Sequence, residues 1–124
     1  MSLTIDIPPN EWMSANDRGH WAAKARRTRA LRTRAAWAAR QARLTVPTPV
    51  LVVAHIGYPR NGKADPGNAA PTVKALLDGL TDAGVWPDDD STHVIGPDYR
   101  RGPKTDRKGW HAVTLTFTQQ HVPF

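Results

Sequence analysis

Apolar residues that alternate with polar ones or form short continuous runs predict strands at four places in the chain. Residues 2–7 place Leu3, Ile5 and Ile7 on one face and polar side chains on the other. Residues 50–58 are almost continuously apolar and partly β-branched, which is typical of a central strand buried on both faces. Residues 93–97 form a short candidate strand, and residues 110–118 alternate again.

Apolar residues that recur every three or four positions predict a long first helix at residues 18–43. Alanine predominates in this stripe, so a neighbouring element is expected to pack close against it. The stripe comprises Trp21, Ala25, Thr28, Leu31, Ala35, Ala38 and Ala42. Ser14, Asn16 and Asp17 are candidate caps for its N-terminus. Trp37 lies off the stripe, and we expect it to pack under a loop rather than to stack on a base.

A second helix follows a loop rich in glycine, proline and asparagine. Asn68 is expected to cap it, Pro71 to lie in its first turn and Gly84 to end it in a left-handed conformation. Its predicted buried stripe consists of Val73, Leu76, Leu77 and Leu80.

Together these elements predict one α+β domain over residues 1–124, with a mixed sheet of about four strands and two main helices. Residues 50–94 could form a crossover unit in which the second helix joins two strands. Residues 98–109 carry Arg100, Arg101 and three further basic residues, and they are expected to form a mobile loop.

The composition narrows the functional classes. The chain of 124 residues has no cysteine, which excludes disulfides and thiolate-bound zinc or iron–sulfur centres. No apolar run approaches the length of a membrane span, and the N-terminus lacks the features of a signal peptide. The expectation is a soluble intracellular protein.

The charge is strongly segregated. The net charge is +6, and residues 18–43 hold nine of the seventeen Lys and Arg residues but no acid. Like charges on one helix repel unless an anion lies near, so this face is predicted to contact phosphates rather than only solvent. The predicted DNA-binding residues are Asn16, Arg18, Arg27, Arg34, Arg60, Lys63, Arg100 and Arg101.

Six of the eleven acidic residues fall in the window from Asp65 to Asp90. Hydrolysis of a phosphodiester needs an activated water and cations, and Mg²⁺ is usually held by one or two carboxylates. Asp65 and one or more of the three aspartates at residues 88–90 could supply them, with Lys74 stabilising the phosphate. Each part also has a purely structural reading: a turn at Asp65, a surface ion pair between Lys74 and Asp78, and a solvated turn at residues 88–90.

The window resembles the RusA family of Holliday-junction resolvases, small endonucleases common in phages and prophages. The resemblance covers residues 50–97 and also fits the N-terminal strand and the Asn-Asp-Arg that opens the basic helix. The matching motif residues are Asp65, Asn68, Lys74, Asp78-Gly79-Leu80, Gly84, Trp86 and Asp88-Asp89.

The resemblance implies a homodimer that depends on Mg²⁺, with Mn²⁺ as a substitute, and that cuts four-way DNA junctions by paired symmetrical nicks in the bacterial cytoplasm. Asp65 and Asp89 would bind the metal and act in catalysis, assisted by Lys74. The chain departs from the family because Gly67 replaces the second aspartate of the Asp-x-Asp-Asn motif and Lys74 lies six residues after Asn68. Either Asp78, Asp88 or Asp90 supplies the missing ligand, with Asp78 and Asp88 preferred, or the affinity for the metal is reduced.

Two other classes stay open from sequence. A non-catalytic DNA-binding protein of phage origin would need only the arginine-rich helix and no aspartates. A basic phage structural or assembly protein would bind DNA weakly and have no metal site.

Overall fold

A computed structural model describes residues 1–121. Its elements are β1 (Ser2–Ile7), α1 (Trp21–Gln41), β2 (Val50–Gly57), a short 3-10 turn (Pro66–Ala69), α2 (Ala70–Asp82), β3 (Val94–Arg101) and β4 (His111–Gln119). The strands form one mixed sheet in the order β1-β4-β2-β3. This confirms the predicted α+β class, the four strands and the two helices. None of the helices in the described residues is both long and apolar enough to cross a bilayer.

The β2–α2–β3 segment is a crossover unit, because β2 and β3 are parallel and α2 joins them. The other pairs, β1 with β4 and β2 with β4, are antiparallel. Alternate residues of β2 and β4 are buried, and the core joins these side chains to those of both helices. The sheet is therefore covered by helices on one face only.

The two helices cross at Gly79 of α2, where a Cβ atom would collide with the backbone carbonyl of Arg32 and would lie 2.9 Å from Cβ of Ala35. The alanine stripe of α1 makes this close approach possible. Leu31, Ala35 and Ala39 are completely or almost completely buried there. The expectation of a closely packed neighbour is confirmed.

The expectation that β2 is buried on both faces was wrong. Val50, Val52, Ala54 and Ile56 are buried, whereas the intervening side chains are only half-buried. The reason is that both helices pack on the same face, so no helix within residues 1–121 covers the other face of the sheet.

The two exposed tryptophans of α1 also differ from expectation. Trp21 was predicted in the buried stripe, and Trp37 was predicted under a loop, but their exposed fractions are 75% and 64%. The buried part of α1 begins only at Leu31, so the first turns of the helix extend beyond the core.

The strand β3 extends to Arg101, so residues 98–101 are strand rather than loop. An edge strand tolerates charged side chains because one of its sides faces solvent. An extra residue on β3 forms a bulge near Gly96 and Pro97, where Leu51 pairs with Ile95 but Val53 pairs with Asp98.

The helix caps differ from the predicted ones as well. His20 caps α1, and its Nδ1 accepts a hydrogen bond from the backbone N–H of Ala22 at 3.1 Å. Asp65, not Asn68, provides a cap, and it serves the 3-10 turn that leads into α2. Gly84 has φ 76°, which confirms the left-handed conformation after α2.

Candidate functional site

A cavity of about 260 Å³ lies between α2, the aspartate-rich turn and the edge strand β3. It brings together three of the predicted site residues, Lys74, Asp78 and Asp89. The remaining lining residues are Ala70, Leu77, Val94, Gly96, Pro97 and Tyr99. Polar groups that converge in a partly apolar cleft are typical of a binding or active site.

The helix α2 positions Lys74 and Asp78 because residues four apart share a helical face. Lys74 Nζ lies 3.5 Å from a carboxylate oxygen of Asp78, and the side chains are 77% and 23% exposed. The pair is thus the surface ion pair that the sequence allowed, and it also borders the cavity. An ammonium group so exposed keeps two donors for a ligand.

The three consecutive aspartates have different roles in the structure. Asp88 accepts a hydrogen bond from the backbone N–H of Asp89 at 2.7 Å. Asp90 accepts from His93 and Thr92, and the bond with His93 holds the pKa of Asp90 below its usual value. The carboxylate of Asp89 makes no hydrogen bond or ion pair within residues 1–121, and it alone of the three lines the cavity. Asp89 is therefore the turn residue best placed to bind a cation.

Asp65 precedes the 3-10 turn, and its side chain accepts a hydrogen bond from the backbone N–H of Gly67 at 3.0 Å. It is not among the residues that line the cavity. Its charge acts on Tyr58, whose pKa is raised by burial and further by Asp65, against the opposing effect of Arg101. Asp65 is thus held by the turn that precedes α2, outside the cavity of Lys74, Asp78 and Asp89.

Within residues 1–121 no group of three or more aspartate, glutamate or histidine side chains is gathered closely enough to hold a metal ion. The assignment of Asp65, Asp78, Asp88 and Asp89 as metal ligands stays a prediction. The residues present fit Mg²⁺ in one respect, since Asp78 and Asp89 bring two hard carboxylate ligands to the same cavity.

A second cavity, of about 300 Å³, lies where the parallel strands β2 and β3 end. Arg60 and Lys63, both exposed, line it together with Tyr58, Arg101 and His111. The guanidinium group of Arg101 lies 5.2 Å from the centre of the Tyr58 ring and donates hydrogen bonds to the carbonyls of Gly62 and Arg60. These contacts hold the loop with its two cations against the sheet.

An aromatic cluster that the sequence did not predict supports this end of the sheet. The rings of Trp12 and His111 are stacked, with 3.7 Å between their centres. The ring of Tyr58 makes edge-to-face contacts with both. Burial lowers the pKa of His111 to about 4, so the imidazole is neutral near pH 7. This stacking holds the loop between β1 and α1 against the start of β4.

Two of the α1 arginines predicted to bind DNA make structural contacts. Arg34 forms a two-point ion pair with Glu11 at 2.7 and 2.8 Å, and this bonding raises the pKa of Arg34. Arg27 donates to the backbone carbonyl of Trp12 at 3.1 Å. Asn16 and Arg18 are exposed in the loop before α1. The DNA-binding roles of all four stay predictions, and those of Arg27 and Arg34 would have to coexist with these contacts.

Arg32, which the sequence did not single out as a site residue, joins the helices. It forms a two-point ion pair with Asp82 at 2.8 and 3.0 Å. This bonding raises the pKa of Arg32 and lowers that of Asp82, and the charges of Asp78 and Asp89 raise the pKa of Arg32 further. Two carboxylates that border the cavity therefore act electrostatically on an arginine of α1.

No protein-family model matches this chain, and no curated protein matches it. The resemblance to the RusA family rests on the motif residues alone.

Proposed function

We propose that this protein is a Mg²⁺-dependent endonuclease that acts on branched DNA. The observation that carries the proposal is the meeting of Lys74, Asp78 and Asp89 at one cavity of a chain with a net charge of +6. Clustered carboxylates are unfavourable in a DNA-binding protein unless a cation screens them from the phosphates. A cationic loop with Arg60 and Lys63 lies at the adjacent end of the sheet, where it could hold the backbone of the substrate.

Asp78 and Asp89 would hold the metal ion, which supplies a water of lowered pKa and neutralises charge on the phosphate. Lys74 would donate a hydrogen bond from Nζ to a phosphate oxygen, where negative charge increases during hydrolysis. Asp78 orients Lys74 through their ion pair. Asp65 would contribute from the turn before α2, in line with the motif that it shares with the RusA family.

The finer form of the proposal is a homodimeric resolvase of four-way junctions. Two symmetrical nicks require two active sites, and a two-fold dimer supplies them in the arrangement that such a junction needs. This form rests on the motif resemblance.

The test is nicking of a synthetic four-way junction with and without Mg²⁺. Asp89→Asn keeps the size of the side chain and removes its charge, so we expect the cutting rate to fall by about a hundredfold or more. Asp106→Asn is the matched control, because Asp106 is exposed in the β3–β4 loop and lines neither cavity. Equal cutting by wild type and Asp89→Asn, or no cutting by wild type on a panel of branched DNAs, would refute the proposal.

Asp65→Asn separates binding from cutting. Asparagine also caps turns, so the fold at Gly67 should persist. We expect cutting to be lost while junction affinity, measured in EDTA, is kept or increased, because a negative charge near phosphate is removed. Weaker binding by this variant would show that Asp65 has a structural role only.

A second candidate function is that of a DNA-binding protein without catalytic activity. The exposed cations of α1, together with Arg60 and Lys63 where β2 and β3 end, favour it. It predicts tight binding that is indifferent to Mg²⁺, no nicks, and no effect of Asp89→Asn. The same junction assay distinguishes the two functions.

A further inference from the structure

Three residues form a ridge on the outer face of α1: Arg29, Thr33 and Trp37. They are spaced four apart, so they lie in line along the helix. Shallow grooves of about 430 and 650 Å³ flank the ridge, and all three residues border both grooves. Trp37 is 64% exposed, the second most exposed tryptophan among the residues described. Most of the surface of this aromatic residue is thus open to solvent between two grooves.

The charges around this ridge are mostly positive and partly unused. Arg32 and Arg34 border one groove each, but each is already paired with a carboxylate. Arg29 makes no side-chain hydrogen bond or ion pair within residues 1–121, and Arg40 makes only a 3.5 Å contact with the backbone carbonyl of Asp82. Asp82 is the one acid in the described part of the chain that borders either groove, and Arg32 neutralises it. Arg29 and Arg40 are therefore the cations available to a ligand.

The exposed tryptophan and the available cations indicate which kind of ligand the ridge would bind. A second copy of the chain would bring another arginine-rich helix against this one, and like charges would oppose the contact. Duplex DNA offers phosphates, but its base faces are stacked within the helix. An unpaired stretch of nucleic acid offers both a phosphate chain and a free base face, and base–aromatic stacking is how such strands are commonly bound.

We propose that the ridge binds single-stranded nucleic acid, with one base stacked on Trp37 and the adjoining phosphates at Arg29 and Arg40. The inference goes beyond the proposed nuclease activity, because the two grooves share no residue with the cavity of Lys74, Asp78 and Asp89. Binding at the ridge requires no metal ion.

The experiment measures fluorescence anisotropy of a labelled oligothymidylate of about twelve nucleotides in EDTA, with the full chain. We expect Trp37→Ala to weaken binding about tenfold, since a single stacked base accounts for that order of affinity. Trp21→Ala is the matched control: Trp21 is 75% exposed on the same helix but borders neither groove, so its loss should change affinity less than about twofold.

An abasic strand of the same length tests stacking directly, because it keeps the phosphates and lacks the bases. Wild type should bind it about tenfold more weakly than the oligothymidylate, and Trp37→Ala should bind both strands alike. Replacing Arg29 and Arg40 with alanine should reduce the salt dependence of binding, by about 1.4 units of slope in total, since each phosphate contact with a single strand contributes about 0.7.

Equal affinity of wild type and Trp37→Ala for the oligothymidylate would overturn the proposal, as would equal affinity of wild type for the abasic strand. Sedimentation gives the third readout. If Trp37→Ala changes the oligomeric state and leaves strand binding intact, the ridge is an interface between copies and the proposal fails. Loss of nicking by Asp89→Asn with unchanged strand binding would leave the ridge independent of the nuclease site.

Discussion

The inner and outer sides of α1 have the same helical spacing but opposite chemistry. On the inner side Leu31, Ala35 and Ala39 are buried against α2, whose Gly79 permits the contact. On the outer side Arg29, Thr33 and Trp37 face solvent. The inner side is fixed by shape, because even the Cβ of an alanine at Gly79 would collide with the backbone of α1. The outer side has no partner in the described chain, so its residues are free to serve binding.

Replacement of Gly79 should have the largest effect on stability. Gly79→Val would push its side chain into the carbonyl of Arg32 and separate the helices, and we expect a loss of about 3 kcal/mol in the free energy of unfolding. Chemical denaturation followed by circular dichroism measures it. Trp37→Ala, on the outer side, should change stability by less than about 0.5 kcal/mol. Equal midpoints for Gly79→Val and wild type would contradict the close crossing.

The ion pair between Arg34 and Glu11 should have the next largest effect. Glu11 is only 13% exposed at its side chain, while Arg34 is 37% exposed, so solvent screens the pair in part. A double-mutant cycle with Arg34→Met and Glu11→Gln should give a coupling of about 1 to 2 kcal/mol. Arg29→Met is the control on the outer side and should be nearly neutral. A coupling energy close to zero would show that the pair with Glu11 adds no stability, as for an arginine that is fully solvated.

A third predicted effect is a dependence of stability on pH through His111. Its folded-state pKa of about 4 lies below the unfolded value of 6.5, so between these values the unfolded chain binds more protons. Stability should therefore fall as the pH falls from about 6.5 to about 4. His111→Phe keeps a ring against Trp12, and the slope of its unfolding midpoint against pH should be smaller in this window. An unchanged slope would assign the effect to other groups.

The sequence predicted most of the fold because the signals for its elements are local. The alternation in β1 and β4, the apolar run in β2 and the stripe of α2 each depend on neighbouring residues. Trp21 was misplaced because periodicity marks a helical face but does not show how far the core extends along it. The end of β3 was missed because Arg100 and Arg101 are unusual in a strand, and only the edge position of β3 makes them tolerable.

Lys74, Asp78 and Asp89, which the sequence grouped as site residues, border one cavity, whereas Asp65 and Asp88, predicted with them, do not line it. The different hydrogen bonding of the three consecutive aspartates could not be predicted from the sequence, because it depends on His93 and Thr92 as partners. Glu11 and His111 were missed altogether. Their partners, Arg34 and Trp12, are 23 and 99 positions away, and no local pattern reports such a pairing.

The bulge near Gly96 and Pro97 has a consequence for self-association. An exposed edge strand usually invites another chain to continue the sheet, but proline lacks an N–H donor and a bulge interrupts the regular spacing of the backbone groups. The cations of Arg100 and Arg101 add repulsion to the same edge. This border of the sheet is therefore poorly suited to templated growth into fibres, which leaves β1, the opposite edge strand, as the border with fewer such obstacles.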